Sequence, residues 1–425
     1  MKTNQKWKVL GLCLLLPWTA AHAQVEVNVS GAQVAARPIA ILPVQGDPGV
    51  KMDYIIASDL HKTGLFQPLD PKSFPENPAS PAALQYPAWK QAGADYVVMG
   101  MMQGGNAGQF VLNDVNSASQ LANENLRDAD ARQLAHQAAD WILYRLTGKR
   151  GVFGTQLAYV LEQGGAKGAR RYSLLVSDVD GANRREIYSS NEPILSPSWA
   201  PNGQAVAFVT YANHHAQVVI QNIGGGSRVV AQGDGISSAP AFSPDGNYLA
   251  FVQSENNNPD IYLLNLASGA KSRLTDHAAI DTEPAFSPDG NYIYFTSDRS
   301  GSPQIYRMSR NGGGAERVVS GSGYSANSDL SPDGSSLVLT RQSGGDYQIG
   351  TYDLASKRFD ALTSGRLDEG ASFAPNGQLI IYATKEGGRS VLKVINSKGG
   401  VAQTLSDSNG RLRDPAWGPD TRPQP

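Results

Sequence analysis

The stretch Pro240–Gly246 reads PAFSPDG, and Pro284–Gly290 repeats it letter for letter. Related heptads are PSWAPNG (Pro197–Gly203), SDLSPDG (Ser328–Gly334), ASFAPNG (Ala371–Gly377) and a degenerate PAWGPDT (Pro415–Thr421). Their last residues fall at 203, 246, 290, 334, 377 and 421, a spacing of 43 or 44 throughout. A period of that length constrains the fold more than any composition does, because one such unit cannot bury its own apolar face and must stack on its neighbours.

Each repeat has one internal order. An apolar strand follows the heptad, as in YLAFVQS (Tyr248–Ser254) and YIYFTSD (Tyr292–Asp298). After a polar loop comes a second strand, IYLLNL (Ile261–Leu266) or IYRMSR (Ile305–Arg310), and then a short third. With the segment leading into the heptad this makes four strands per unit, the content of a propeller blade. Ser-Pro-Asp-Gly is turn chemistry: Pro presets φ, Asp caps the turn and Gly accepts its closing geometry. The 25 prolines and 45 glycines suit a chain of many turns. QLAYVLE (Gln156–Glu162) and YSLLVSD (Tyr172–Asp178) lack a preceding heptad strand, whereas the last heptad lacks followers. The economical solution pairs the C-terminal strand with the first blade, giving a mainly β, six-bladed β-propeller of the WD40-like type over residues 151–425, closed without free edges.

The N-terminus has the pattern of a cleaved signal peptide over residues 1–23. Lys2, Lys6 and Lys8 precede the apolar run Val9–Leu16, and AHA (Ala21–Ala23) is a small-x-small cleavage site. Cleavage removes three lysines and no acid, taking the formal charge from −2 to −5, which excludes a basic nucleic-acid field. The one cysteine, Cys13, leaves with the signal; Leu12 before it is too large for a lipoprotein signal. The mature chain is then exported, thiol-free and without a membrane span, a pattern that fits the periplasm. Its first residues, QVEVNVSGA (Gln24–Ala32), alternate valine with polar residues at strand period, either as an edge strand or as an arm over 24–31 that pairs with a partner strand.

Residues 32–150 read as a small α/β domain. PIAILPV (Pro38–Val44), ADYVVMGMM (Ala94–Met102) and QFVLNDV (Gln109–Val115) are strands; DYIIASDLHKTG (Asp53–Gly64) is a helix, and the Pro-rich Asp70–Pro87 a surface loop. Asp130–Gly148 is a second helix with Leu134, Ala138, Trp141, Ile142 and Leu146 on one face.

His61 and His136, on helices, read as surface or boundary residues, and the adjacent pair His214–His215 lacks a third ligand. Asp276–His277 suggests hydrolysis only if a serine joins it, and no G-x-S-x-G elbow is present. DVDGAN (Asp178–Asn183) imitates the start of a calcium loop, but Ile187 and Tyr188 stand where the closing glutamate belongs, so a hairpin turn is the better reading. The loops leading into the heptads converge in a propeller on one face around the axis. Several carry carboxylates, Asp281, Glu283, Asp368, Glu369 and Asp414 among them. That is either ordinary solvated loop or a protein-docking rim with a cation at the channel mouth.

The signal, the VEVNVSGA arm, RPIAILPV, the junction LTGKRGVFGTQLAYV (Leu146–Val160) and the blade sequence PAFSPDG followed by YFTSDRSGSPQIYRM together resemble the TolB family, periplasmic propeller proteins of the Tol-Pal system. The resemblance covers the whole mature chain. It implies a non-catalytic protein without cofactor or metal. Such a protein docks the lipoprotein Pal on the propeller face and TolA through the arm, supports outer-membrane integrity and invagination at division, and meets colicins and other envelope proteins. Carried over by position, the Pal-binding rim falls on Ser238, Ala239, Asp281, Thr282 and Glu283, with Asn327, Asp368 and Glu369 beside them; the arm is Gln24, Val25, Glu26, Val27, Asn28, Val29 and Ser30. SDLSPDG departs from the pattern, with Leu330 for the aromatic and no leading proline. The rival from another class is a propeller hydrolase or lyase working at the axial channel.

Overall fold

The computed structural model describes residues 36–422 except 129, 165–168, 213–214, 234–236, 256–257 and 322. The signal segment, the arm residues 24–31 and His214 lie outside the described residues.

The N-terminal part is a five-stranded sheet in the order β2-β1-β3-β4-β5. Strand β1 (Arg37–Ile41) pairs in parallel with β2 (Phe66–Pro68) and β3 (Tyr96–Gly104), while β4 (Ala107–Asp114) and β5 (Ser119–Arg127) continue antiparallel. Helices α1 (Met52–Lys62) and α2 (Tyr86–Gln91) make the parallel crossovers, as parallel pairing demands. Helix α3 (Ala131–Thr147) starts where Asp130 accepts the Arg132 and Gln133 N–H groups and stops at Gly148, whose φ of 70° suits a residue without Cβ. Strand β5 and helix α2 were not anticipated; β5 is mostly polar and exposed, and α2 begins inside the Pro-rich segment. That segment is also less superficial than expected. Leu84 is buried, and Phe74 packs edge-on against buried Trp89, centroids 5.3 Å apart.

Six four-stranded antiparallel sheets follow. Blade one joins Gln156–Gly164, Arg170–Asp178 and Arg185–Ser190 to the C-terminal strand Arg411–Trp417, so the ring closes as the missing strands foretold. Trp417 fastens the closure by donating its indole N–H to Thr155 Oγ1 at 2.8 Å. The twin heptads adopt twin geometry. Ser243 and Ser287 each accept the N–H five residues on at 2.9 Å, Asp245 and Asp289 each accept the N–H two residues on at 3.0 Å, and Gly246 and Gly290 sit at φ 72° and 70°. The serine hydroxyls hold both carboxyls below the usual range. Glycine is required there twice over: φ is left-handed, and a Cβ at Gly246 would lie 3.3 Å from Pro201 of the preceding heptad. Between blades, Phe208, Phe251 and Phe295 recur at the repeat period, fully buried.

The N-terminal part is fastened to the ring by polar contacts. Asp140 on α3 accepts the Phe153 N–H at 3.0 Å and pairs with Arg422; Arg150 pairs with Asp420 at 2.8 Å. Burial pushes the Asp140 carboxyl up to about 6, although Arg422 and the Phe153 N–H pull against it. His136, expected at the surface or a boundary, is fully buried, because α3 turns that face toward α1 and donates to Asp59. His61 is exposed. No helix among the described residues is long and apolar enough to cross a membrane.

Candidate docking site

The heptad-bearing strands are the innermost of each blade and line an axial cavity of about 440 Å³. Their shared feature is a β-bulge. Register shifts between Ser238 and Ala241, Thr282 and Ala285, Ala326 and Asp329, Glu369 and Ser372, and Arg413 and Ala416. At each bulge one residue takes left-handed backbone: Ala239 (φ 48°), Glu283 (55°), Asn327 (53°), Gly370 (64°) and Asp414 (48°), with Ser196 (51°) equivalent in blade two. Four of the six precede proline, which has no N–H to offer a ladder and is tolerated at a bulge. Left-handed backbone at a residue with a Cβ costs about 1–3 kcal/mol and persists where surroundings over-determine it. Five non-glycine residues hold it around one channel mouth.

Side chains lock this ring from blade to blade. Glu283 Oε2 accepts the N–H of Asn327, the next ring residue, at 2.7 Å, and the Thr296 hydroxyl at 2.7 Å. Asp414 likewise accepts the N–H of Ser196. Asp329 accepts the Phe373 N–H at 2.8 Å, and Ser372 the Trp417 N–H at 3.2 Å. Burial pushes Asp329 up to about 6 despite its backbone N–H bonds, and it raises Asp414.

The expected rim residues divide. Ser238, Ala239, Thr282, Glu283 and Asn327 are half-buried at the mouth, and Glu369 is exposed. Asp281 is 0% exposed, gripped by Arg299 through contacts of 2.9 and 2.8 Å. Asp368 is 1% exposed and accepts the Gly365 N–H and the Thr384 hydroxyl. Both carboxylates are buried against these groups. Asp276, for its part, engages Arg273 at 2.7 Å, while His277 Nδ1 accepts the Ala279 N–H. The turn at Asp178 closes as a hairpin, Gly181 N–H to Asp178 O at 2.9 Å.

The rim also carries apolar groups that a search for polar residues passes over. Ile280 and Leu367 are 49% and 43% exposed in the loops leading into two blades. Leu367 bridges in parallel to Tyr347, whose ring meets Tyr324 edge-on at 5.2 Å. Burial and nearby Glu283 push the Tyr324 phenol up to about 12, which keeps it a neutral donor. The signal for Ile280 and Leu367 was present: each is a large apolar side chain inside an otherwise polar loop, HAAIDTE and RLDEG. An acidic mouth flanked by exposed aliphatic and half-buried aromatic groups has the anatomy of a protein-docking surface.

Residues 143–421 match the family described as TolB beta propeller domain, and residues 25–121 the TolB amino-terminal domain. The Tol-Pal system protein TolB of Nitrosococcus oceani is 47% identical over 99% of this chain and 100% of its own length; that of Methylococcus capsulatus is 49% identical over 96% and 98%. The crystal structure of TolB from Acinetobacter baumannii superposes with a TM-score of 0.84 at 36% identity, covering 91% of this chain and 97% of that one.

Proposed function

Since the chain belongs to the TolB family and its relatives are Tol-Pal system proteins, we propose that its propeller face docks the lipoprotein Pal in the periplasm while its arm, Gln24–Ser30, engages TolA. The observation that carries the reading is the ring of left-handed bulge residues at the channel mouth beside exposed Ile280 and Leu367. A scaffold that stores backbone strain at one mouth, and leaves aliphatic groups bare next to it, is built to be covered. Glu283, Asn327 and Ala239 form the floor of the interface, while Ile280, Leu367 and Tyr324 supply apolar anchors. The work is binding, and it supports outer-membrane integrity and invagination at division without bond chemistry. Colicins and other envelope proteins that exploit this protein meet the same face.

The arm couples to the face only if Pal distinguishes its free and docked states, by about 1–3 kcal/mol in a typical case. Calorimetric titration of the chain from Gln24 with the soluble Pal domain tests the docking claim. Ile280→Ala and Leu367→Ala each weaken binding about tenfold, near 1.4 kcal/mol, whereas Tyr54→Ala, on the exposed face of α1, leaves it unchanged. Failure of the unaltered chain to bind, or equal loss in all three variants, refutes the proposal. Deletion of Gln24–Ser30 abolishes capture of TolA and spares Pal.

A further inference from the structure

A group outside the docking face has the makings of a metal centre. His136 on α3, Asp178 at the end of the second strand of blade one and Asp180 in the following turn each offer a ligand atom, all within 4.8 Å of one another. The histidine is fully buried. Its Nδ1 lies 2.5 Å from Asp59 Oδ2, and Asp59 is itself held by Lys62 at 2.9 Å. A carboxylate at that distance takes the N–H of Nδ1 and leaves Nε2 as the ring nitrogen available to a ligand. Nε2 has no hydrogen-bond partner, and Asp180 Oδ2 is 3.9 Å away. The carboxylate–histidine pair behind it is the support that metal-ligating imidazoles ordinarily have.

We infer that His136 Nε2, Asp178 and Asp180 form a site for one divalent transition-metal ion of the zinc class at the seam between the N-terminal domain and blade one. Nitrogen and carboxylate donors suit Zn²⁺, with bonds of about 2.0–2.2 Å. Donors on one tetrahedral ion stand about 3.3 Å apart at such bond lengths, so the present group, within 4.8 Å, closes by up to about 1.5 Å. Asp180 lies in the Asp178–Asn183 turn, whose movement supplies that closure. The fourth position opens to solvent past Asp180, whose side chain is 18% exposed.

Arg132 is the competitor. Its Nε meets Asp178 Oδ2 at 3.3 Å and its Nη2 pairs with Asp180, so in this state the guanidinium neutralises both carboxylates. Asp178 also accepts from Gln133 and Asn183, and Asp180 from the Ala182 N–H, which aim the carboxylates without occupying Nε2. The Arg132 side chain is 23% exposed and has a path to water when an ion takes its place. Bound metal would join α3 to blade one through coordinate bonds instead of a salt bridge.

The test titrates the metal-free mature chain with Co²⁺, read by its visible ligand-field absorption, and with Zn²⁺, read by thermal unfolding. One equivalent binds the unaltered chain. Arg132→Gln tightens binding, Asp59→Asn weakens it about 10–100-fold as loss of outer-shell support does, and Asp180→Asn, at a partly exposed position, weakens it at least as much. Zn²⁺ raises the melting temperature of the unaltered chain and of Arg132→Gln, and not that of Asp180→Asn. Equal affinity in the unaltered chain and Asp180→Asn assigns the metal to exposed histidines such as His61 or His277 and overturns the inference. Failure of both the unaltered chain and Arg132→Gln to bind overturns it as well.

Discussion

Replacing Asp281 with alanine removes the carboxylate that grips Arg299. The acid is 0% exposed and the arginine side chain 17%. Breaking a buried pair by deleting one partner costs about 3–5 kcal/mol because the survivor is left uncompensated. Arg299 keeps an exposed edge, still donates to Ser297 Oγ at 3.0 Å and still stacks over Phe295 and Tyr306, so we expect the lower part of that range, about 3–4 kcal/mol. A propeller of this size unfolds with an entropy of about 0.6 kcal/mol/K at roughly 2.1 cal/mol/K per residue, which turns the loss into a fall in Tm of about 5–7 °C. Differential scanning calorimetry on Asp281→Ala measures it. The double variant Asp281→Ala/Arg299→Met, which deletes both charges and keeps an apolar stem, recovers more than half of the loss. Well below its Tm, Asp281→Ala keeps most of its affinity for Pal, since the carboxylate reaches no partner. An unchanged Tm, or a double variant less stable than the single one, refutes the burial argument; a folded Asp281→Ala that has lost Pal refutes its exclusion from the interface.

Other positions give separate tests. Glu283→Ala leaves the Asn327 N–H only its longer bond to Thr296 Oγ1 at 3.2 Å and costs about 1 kcal/mol in urea unfolding, while Glu283→Gln, which keeps an acceptor, costs less than half of that. Asp329 has a folded pKa raised to about 6 by burial, so its contribution to stability is fully present below its unfolded pKa and is lost as pH rises through 6. Asp329→Asn is therefore more stable than the parent at pH 7.5 by about 1–2 kcal/mol, discounted because the carboxyl borders the channel, and the gain vanishes near pH 4. Arg422→Ala strands Asp140. Because a protonated Asp140 needs no counter-charge, the variant loses more stability at pH 8 than at pH 5, as paired thermal melts will report.

The repeat by itself determined the architecture. Heptads 43 or 44 residues apart, each with turn chemistry that acts over five residues or fewer, dictate blade corners wherever they occur. A heptad strand left over at one end and a blade short of a strand at the other fixed the ring closure, because an unpaired inner edge is costly. The ring of loops leading into the heptads followed from the same periodicity. What lies within reach of a side chain did not. Asp281 and Glu369 are both acids in polar loops, yet one is buried under Arg299, 18 residues on, and the other faces solvent. His136 and Asp59 are 77 residues apart and meet only because α1 and α3 pack together. The left-handed bulges at Ser196, Ala239, Glu283, Asn327 and Asp414 carry no common residue type; at Asn327 and Ser196 the backbone N–H is held by the acid at the preceding ring position. Local patterns fix turns and strands because their energies act within a few residues. The fate of a charge depends on its distant neighbours, and those are set only when the blades close on one another.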